Sequence, residues 1–181
     1  MKTLTLLRHA KSTWDDPVAR DFDRPLNKRG RRAAQTVGRE MRAQGLAFDH
    51  VIASPAVRVK ETLGGIVDGY GSPIEPAFDE RVYLASPATL LELIHEVSDE
   101  AHRLLIVGHN PGLEALALLL TQEGGDKFRD EIAIKYPTAT LAEISLPADH
   151  WRDVEEGEGR IARFIRPRDL DPELGPDEDS F

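Results

Sequence analysis

Four residues stand where their side-chain types could do chemistry together. Each follows directly on a short apolar run: Arg8 and His9 after Thr3–Leu7, Arg58 shortly after His50–Ala53, and His109 after Arg103–Val107. Two guanidiniums and two imidazoles make an anion site if the runs are neighbouring strands, and phosphate is the natural candidate. The other histidines, His50, His95, His102 and His150, have no matching partner at a strand end and read as ordinary surface residues.

The elements that must position these groups alternate strand and helix. Strands are expected over Thr3–Leu7, His50–Ala53, Arg103–Val107, Thr140–Leu146 and Arg160–Ile165, with an extended stretch over 72–78. Residues 8–26 read as a loop. A helix from Lys28 to about Gln44 is capped by Asn27 and stopped by Gly45. Ser54-Pro55 reads as a cap followed by proline at the first helical position, with Gly64-Gly65 weakening the helix before about Val67. Ser86-Pro87 and Asn110-Pro111 repeat the cap signal. This alternation predicts an α/β fold, a three-layer αβα sandwich with a mostly parallel central sheet. In such sheets ligands collect beyond the carboxyl ends of the strands.

Composition narrows the function. The 181 residues suit one domain; no apolar run reaches a membrane span, and Met1–Leu7 is too short for a signal segment. There is no cysteine, which excludes disulfides, thiolate metal sites and cysteine nucleophiles. A cytoplasmic location is compatible with this. The net charge of −9 speaks against nucleic acid and anionic membrane as partners. Six acids and no base lie in 169–181, which reads as a disordered acidic tail after a single domain over 1–168; removing those six leaves a charge of −3. A phosphate substrate is therefore compatible with the folded part.

The motifs carry a resemblance. Leu7-Arg8-His9-Ala10-Lys11-Ser12 resembles the Arg-His-Gly signature of the histidine phosphatase superfamily, which includes the phosphoglycerate mutases, with Ala10 in place of the usual glycine. Asn27 to Gly30 is similar to the family's helix start. Ser54 to Thr62 resembles its Ser-x-x-x-Arg-x-x-x-Thr segment, and Val107 to Gly112 its second-histidine motif. Four motifs in order over about residues 3–146, in a compact chain, look most like the bacterial phosphohistidine phosphatases. The resemblance implies His9 as nucleophile, with Arg8, Arg58 and His109 around the phosphoryl oxygens and no metal or other cofactor. Asp79 to Tyr83 is similar to the mutases' Glu-Arg-x-Tyr stretch, which makes Glu80 the candidate general acid; Asp15 and Asp16 are weaker candidates. Ser12, Thr13 and Asn110 could add hydrogen bonds to the phosphate.

The substrate expected is a phosphorylated protein, because only 50 residues separate Arg58 from His109 and leave little chain for a lid. A small phosphate ester is the enzymatic alternative. A non-catalytic module that binds phospho-ligands is the alternative of another class. Lys28, Arg29, Arg31 and Arg32 crowd the start of the first helix, where a rim meeting an acidic partner is conceivable beside the plainer reading of a solvated charged face.

Overall fold

The computed structural model describes residues 1–15 and 20–175. One six-stranded sheet runs through it: β1 (Lys2–Arg8), β2 (His50–Ala53), β3 (Ala77–Phe78), β4 (Arg103–Gly108), β5 (Leu141–Leu146) and β6 (Arg160–Ile165), in the order β3-β2-β4-β1-β5-β6. The pairs β3–β2, β2–β4 and β4–β1 are parallel, while β1–β5 and β5–β6 are antiparallel. The mostly parallel αβα sandwich is therefore as expected. No helix among the described residues is long and apolar enough to cross a membrane.

Side chains alternate across a strand, so each central strand feeds two cores. Leu4 and Leu6 of β1 and Leu104 and Ile106 of β4 face one way, onto α3 (Pro87–His95), α4 (Gly112–Leu120) and α5 (Lys127–Ile134). Leu7 of β1 and Leu105 and Val107 of β4 face the other way, onto α1 (Lys28–Ala43) and α2 (Val57–Tyr70). These leucines are fully buried, each contributing about 1.5–3 kcal/mol by leaving water.

Three local outcomes differ from the sequence expectations. The first is the start of α2, at Val57 with Ala56 as its cap residue; the Ser54 hydroxyl accepts the Ala56 N–H at 3.3 Å, as a cap would, but lies ahead of the helix and also serves His109. The helix also runs through Gly64-Gly65 to Tyr70. Its glycines serve close approach to α1: a Cβ on Gly69 would lie 2.1 Å from the Gln35 carbonyl oxygen, and one on Gly65 2.6 Å from the Ala34 Cβ. Tertiary contact thus outweighs the helix cost of glycine.

The second is α5, which has only eight residues and a weak apolar stripe, and which no sequence signal identified. The third concerns the end of the domain, which does not close at 168. Pro167–Leu170 forms a short helix, α6, and Pro172–Leu174 a 3-10 turn. Leu174 is buried in the α1/α2 core, and Arg32 binds Asp171 at 2.6 Å and Glu173 at 2.8 Å. These contacts hold the first acids of the expected tail on the fold. Residues 176–181 lie outside the described residues.

Candidate active site

The register of the parallel strands brings the predicted residues to one edge. Arg8 is level with Gly108, the His9 N–H donates to the Gly108 carbonyl at 3.1 Å, and the Ser54 N–H donates to Val107 at 3.0 Å. His9, Arg58 and His109 therefore converge beyond the carboxyl ends of β1, β2 and β4, with the first turns of α2 and α4. All four predicted residues are buried. The His9 and His109 rings lie 5.3 Å apart.

His9 is held in one tautomer. Its Nδ1 lies 2.7 Å from the Ala10 carbonyl oxygen, which can only accept, so Nδ1 carries the proton and Nε2 keeps its lone pair. Burial, then the Arg8 charge, hold its pKa well below the usual imidazole value. His9 is therefore neutral at pH 7, with Nε2 unprotonated.

The same logic fixes His109. Arg58 approaches its Nδ1 at 3.2 Å as donor, so its Nε2–H donates to the Ser54 hydroxyl at 2.8 Å. Burial and then the Arg58 charge bring its pKa down to about 3. Thr62 ties the pieces together: its hydroxyl donates to the Arg58 carbonyl at 2.6 Å and accepts the Ala10 N–H at 2.9 Å. Arg8 donates to the Tyr136 carbonyl at 2.9 Å.

Three residues that the sequence reading gave no role complete the arrangement: Asp21, Arg24 and Tyr83, the last of which closes the Glu-Arg-x-Tyr stretch. Arg58 donates to the Asp21 carbonyl at 2.6 Å and to its carboxylate at 3.0 Å. The Tyr83 hydroxyl donates to the same carboxylate, and Arg24 binds its other oxygen at 3.1 Å. Burial alone would raise the Asp21 carboxyl, but Tyr83 and Arg58 outweigh it and hold the pKa at about 2. Tyr83 also sets its ring edge-on to His109, with centroids 5.3 Å apart. The Nε of Arg58 is buried and has no hydrogen-bond partner among the described residues, which leaves it as a donor for an anion. Asp21 and Arg24 sit in an irregular loop. Their spacing of three is the one signal the sequence offers, and it is common on any surface.

The remaining predicted residues are placed differently. The Ser12 hydroxyl accepts from Arg24 at 2.5 Å, so it braces a guanidinium. Asn110 donates to the Tyr136 carbonyl at 3.0 Å and accepts the Glu114 N–H at 3.2 Å, so both ends of its amide hold backbone. Thr13 accepts the Asp15 N–H at 3.0 Å. Glu80 is exposed, and its carboxylate makes no hydrogen bond or ion pair with another described residue. From the same stretch Tyr83 makes the contacts to Asp21 and His109. Asp15 is exposed, and Asp16 lies outside the described residues.

The family model for the histidine phosphatase superfamily, branch 1, matches residues 4–83. An uncharacterized protein of Mycobacterium tuberculosis is 40% identical over 164 residues, covering 90% of this chain and all of the relative. A solved structure of a candidate phosphohistidine phosphatase SixA from Nakamurella multipartitia superposes with a TM-score of 0.79 at 27% identity, covering 92% of this chain and 96% of that one. A similar candidate from Agrobacterium tumefaciens gives a TM-score of 0.76 at 28% identity, over 92% and 98% of the two chains.

The chain belongs to the histidine phosphatase superfamily. It is a phosphatase with an α/β fold of the phosphoglycerate mutase type.

Two neutral imidazoles in this histidine phosphatase have a consequence for stability. The unfolded chain takes up protons below about pH 6.5, while His109 stays neutral down to about 3. The unfolded state thus binds more protons in that window, so stability falls as pH drops from about 6.5 towards 3. Each such histidine contributes a slope of up to about 1.4 kcal/mol per pH unit. Urea unfolding at pH 7, 6 and 5 should show a shallower fall for His109→Gln than for the wild type. Equal slopes would mean that His109 titrates in the fold as it does in the unfolded chain.

Proposed function

We propose that this phosphatase removes phosphate from phosphohistidine in a partner protein through a phosphoenzyme on His9. The observation that carries the chemistry is the His9 Nδ1–H bond to the Ala10 carbonyl, which leaves a neutral Nε2 as the attacking atom. In the first step the Nε2 lone pair attacks phosphorus, and the bond from phosphorus to the leaving nitrogen breaks as that nitrogen takes up a proton. In the second step water attacks phosphorus and the His9 N–P bond breaks, releasing phosphate and restoring the neutral ring.

The charge on the transferring group is met by Arg8 and Arg58, whose buried guanidiniums cost no reorganisation during reaction. Neutral His109 stands beside Arg58 and fixes where its fork lies. Asp21, anionic down to about pH 2, is unsuited to donate a proton. Glu80, exposed just beyond the end of β3, is the carboxyl we assign to assist a leaving group. A labile P–N bond needs less of that assistance than a P–O ester.

A protein substrate is supported by the short connection between α2 and α3. Residues 71–86 already hold β3 and the Glu80–Val82 turn that delivers Tyr83, so they provide no further chain to enclose a small ligand. The test is incubation with a phosphohistidine-bearing domain and with a panel of phosphate esters, each with and without a chelator. Release from phosphohistidine should exceed that from every ester, and the chelator should change neither. Fast turnover of one phosphosugar with an untouched phosphohistidine domain would replace this reading by that of a metabolite phosphatase.

A further inference from the structure

The guanidinium of Arg58 is oriented by a residue that is itself an anion. One terminal nitrogen donates to the Asp21 carbonyl at 2.6 Å; the other donates to the Asp21 carboxylate at 3.0 Å and approaches His109 at 3.2 Å. A guanidinium is planar, so anchoring both terminal nitrogens on one residue fixes where its remaining donors lie, the buried Nε among them. A neutral acceptor could orient the fork equally well. It would not repel the phosphoryl group that the fork is there to hold. The charge of Asp21 therefore has an effect of its own, apart from its hydrogen bonds.

Asp21 is in turn held from several sides. Arg24 reaches one carboxylate oxygen through Nε and Nη2, each at 3.1 Å, and the Tyr83 hydroxyl donates to the other. Arg24 is buried, braced by the Ser12 hydroxyl at 2.5 Å, and stacked under the Trp14 ring at 3.4 Å. Ser12 and Trp14 follow β1, Arg58 stands in the first turn of α2, and Tyr83 follows the Glu80–Val82 turn. The chain around Asp21 is pinned as well: the Thr13 N–H donates to the Pro25 carbonyl at 3.0 Å, and the Leu26 N–H to the Glu61 carboxylate at 2.8 Å. Burial alone would raise the Asp21 pKa, but Tyr83 and Arg58 hold it at about 2, so its charge is constant at neutral pH. That charge cancels one of the two that Arg24 and Arg58 bring.

We infer that Asp21 is a positioning residue that acts on phosphoryl transfer through Arg58: it aims the fork at the transferring group and loosens the fork's hold on bound phosphate. Aiming favours the transition state. Loosening keeps the ground state and the released phosphate from being bound too tightly. The inference rests on the reading of Arg58 as a phosphate ligand, and it is independent of what molecule carries the phosphate.

Asp21→Asn keeps the shape of the side chain and removes the charge. It is tested with whichever of p-nitrophenyl phosphate and a phosphohistidine peptide the wild type turns over faster. The variant's kcat should fall about tenfold, while inorganic phosphate should inhibit at a concentration about three- to tenfold lower than in the wild type. A merely structural role would weaken turnover and phosphate binding together, so movement in opposite directions is the signature. Added to Arg58→Lys, the same change should lower kcat by less than about a further twofold, because Asp21 acts through the fork. Tyr83→Phe keeps the charge and removes one anchor. Its kcat should fall about threefold, with phosphate inhibition unchanged.

An unchanged kcat in Asp21→Asn, or phosphate inhibition no stronger than in the wild type, overturns the inference. So does a full tenfold loss on top of Arg58→Lys. If Asp21→Asn does not fold, Tyr83→Phe decides the matter, and an unchanged kcat or an altered phosphate inhibition there overturns it. If Arg58→Lys by itself leaves kcat and phosphate inhibition at the wild-type level, the reading of Arg58 fails and this inference falls with it.

Discussion

His9→Ala should lower turnover of any phosphorylated substrate by at least about four orders of magnitude, equivalent to roughly 5.4 kcal/mol of barrier. Alanine leaves no atom to accept the phosphoryl group, and nothing nearby replaces it. The other imidazole, His109, has Nε2 committed to Ser54 and Nδ1 facing Arg58. Phosphate binding should persist within a few-fold, because Arg8, Arg58 and the first turns of α2 and α4 remain. Rapid quench should trap acid-labile phosphate on the wild type and none on the variant. Residual turnover within tenfold of the wild type would remove His9 from the nucleophile's role.

Arg58→Lys should be the next most damaging change, costing about 10²- to 10³-fold in kcat/KM. The positive charge is kept, but the fork is lost. Arg58 reaches the Asp21 carbonyl, the Asp21 carboxylate and His109 through two separate terminal nitrogens, and presents its buried Nε as a further donor. One ammonium cannot occupy those positions together. The loss should appear in kcat as well as KM, since the guanidinium is aimed at charge that develops during transfer. A drop of less than about tenfold, with an unchanged melting temperature, would show that charge alone suffices at this position.

Much of the site is legible in the amino-acid sequence because Arg8, His9 and His109 sit at strand ends and Arg58 in the first turn of the helix that follows β2. A short apolar run followed by Arg-His or Gly-His fixes both the element and the edge at which its side chain emerges. Parallel order then brings Arg8, His9, Arg58 and His109 together. Asp21, Arg24 and Tyr83 are not legible in this way, because loops without periodicity deliver them and their partners are distant in sequence: Tyr83 meets Asp21 across 62 residues. Ser54 misleads for a related reason. A serine before proline resembles a helix cap, yet here the helix begins three residues later, and the hydroxyl serves His109 as well as the Ala56 N–H. The glycines of α2 mark where another helix comes near, and a propensity scale registers only their cost.

The sheet separates two cores, and the site draws on both. Arg58 is carried by the helix layer that covers Leu7, Leu105 and Val107, while His109 precedes a helix of the layer that covers Leu4, Leu6, Leu104 and Ile106. His9 stands on the strand between them. No single layer owns the catalytic centre, so its geometry is a measure of how well both are seated. Loosening either one pulls the guanidinium and the imidazole apart while most of the secondary structure survives. The enzyme therefore checks its own assembly: a half-formed molecule, with one face of the sheet still bare, holds no complete site.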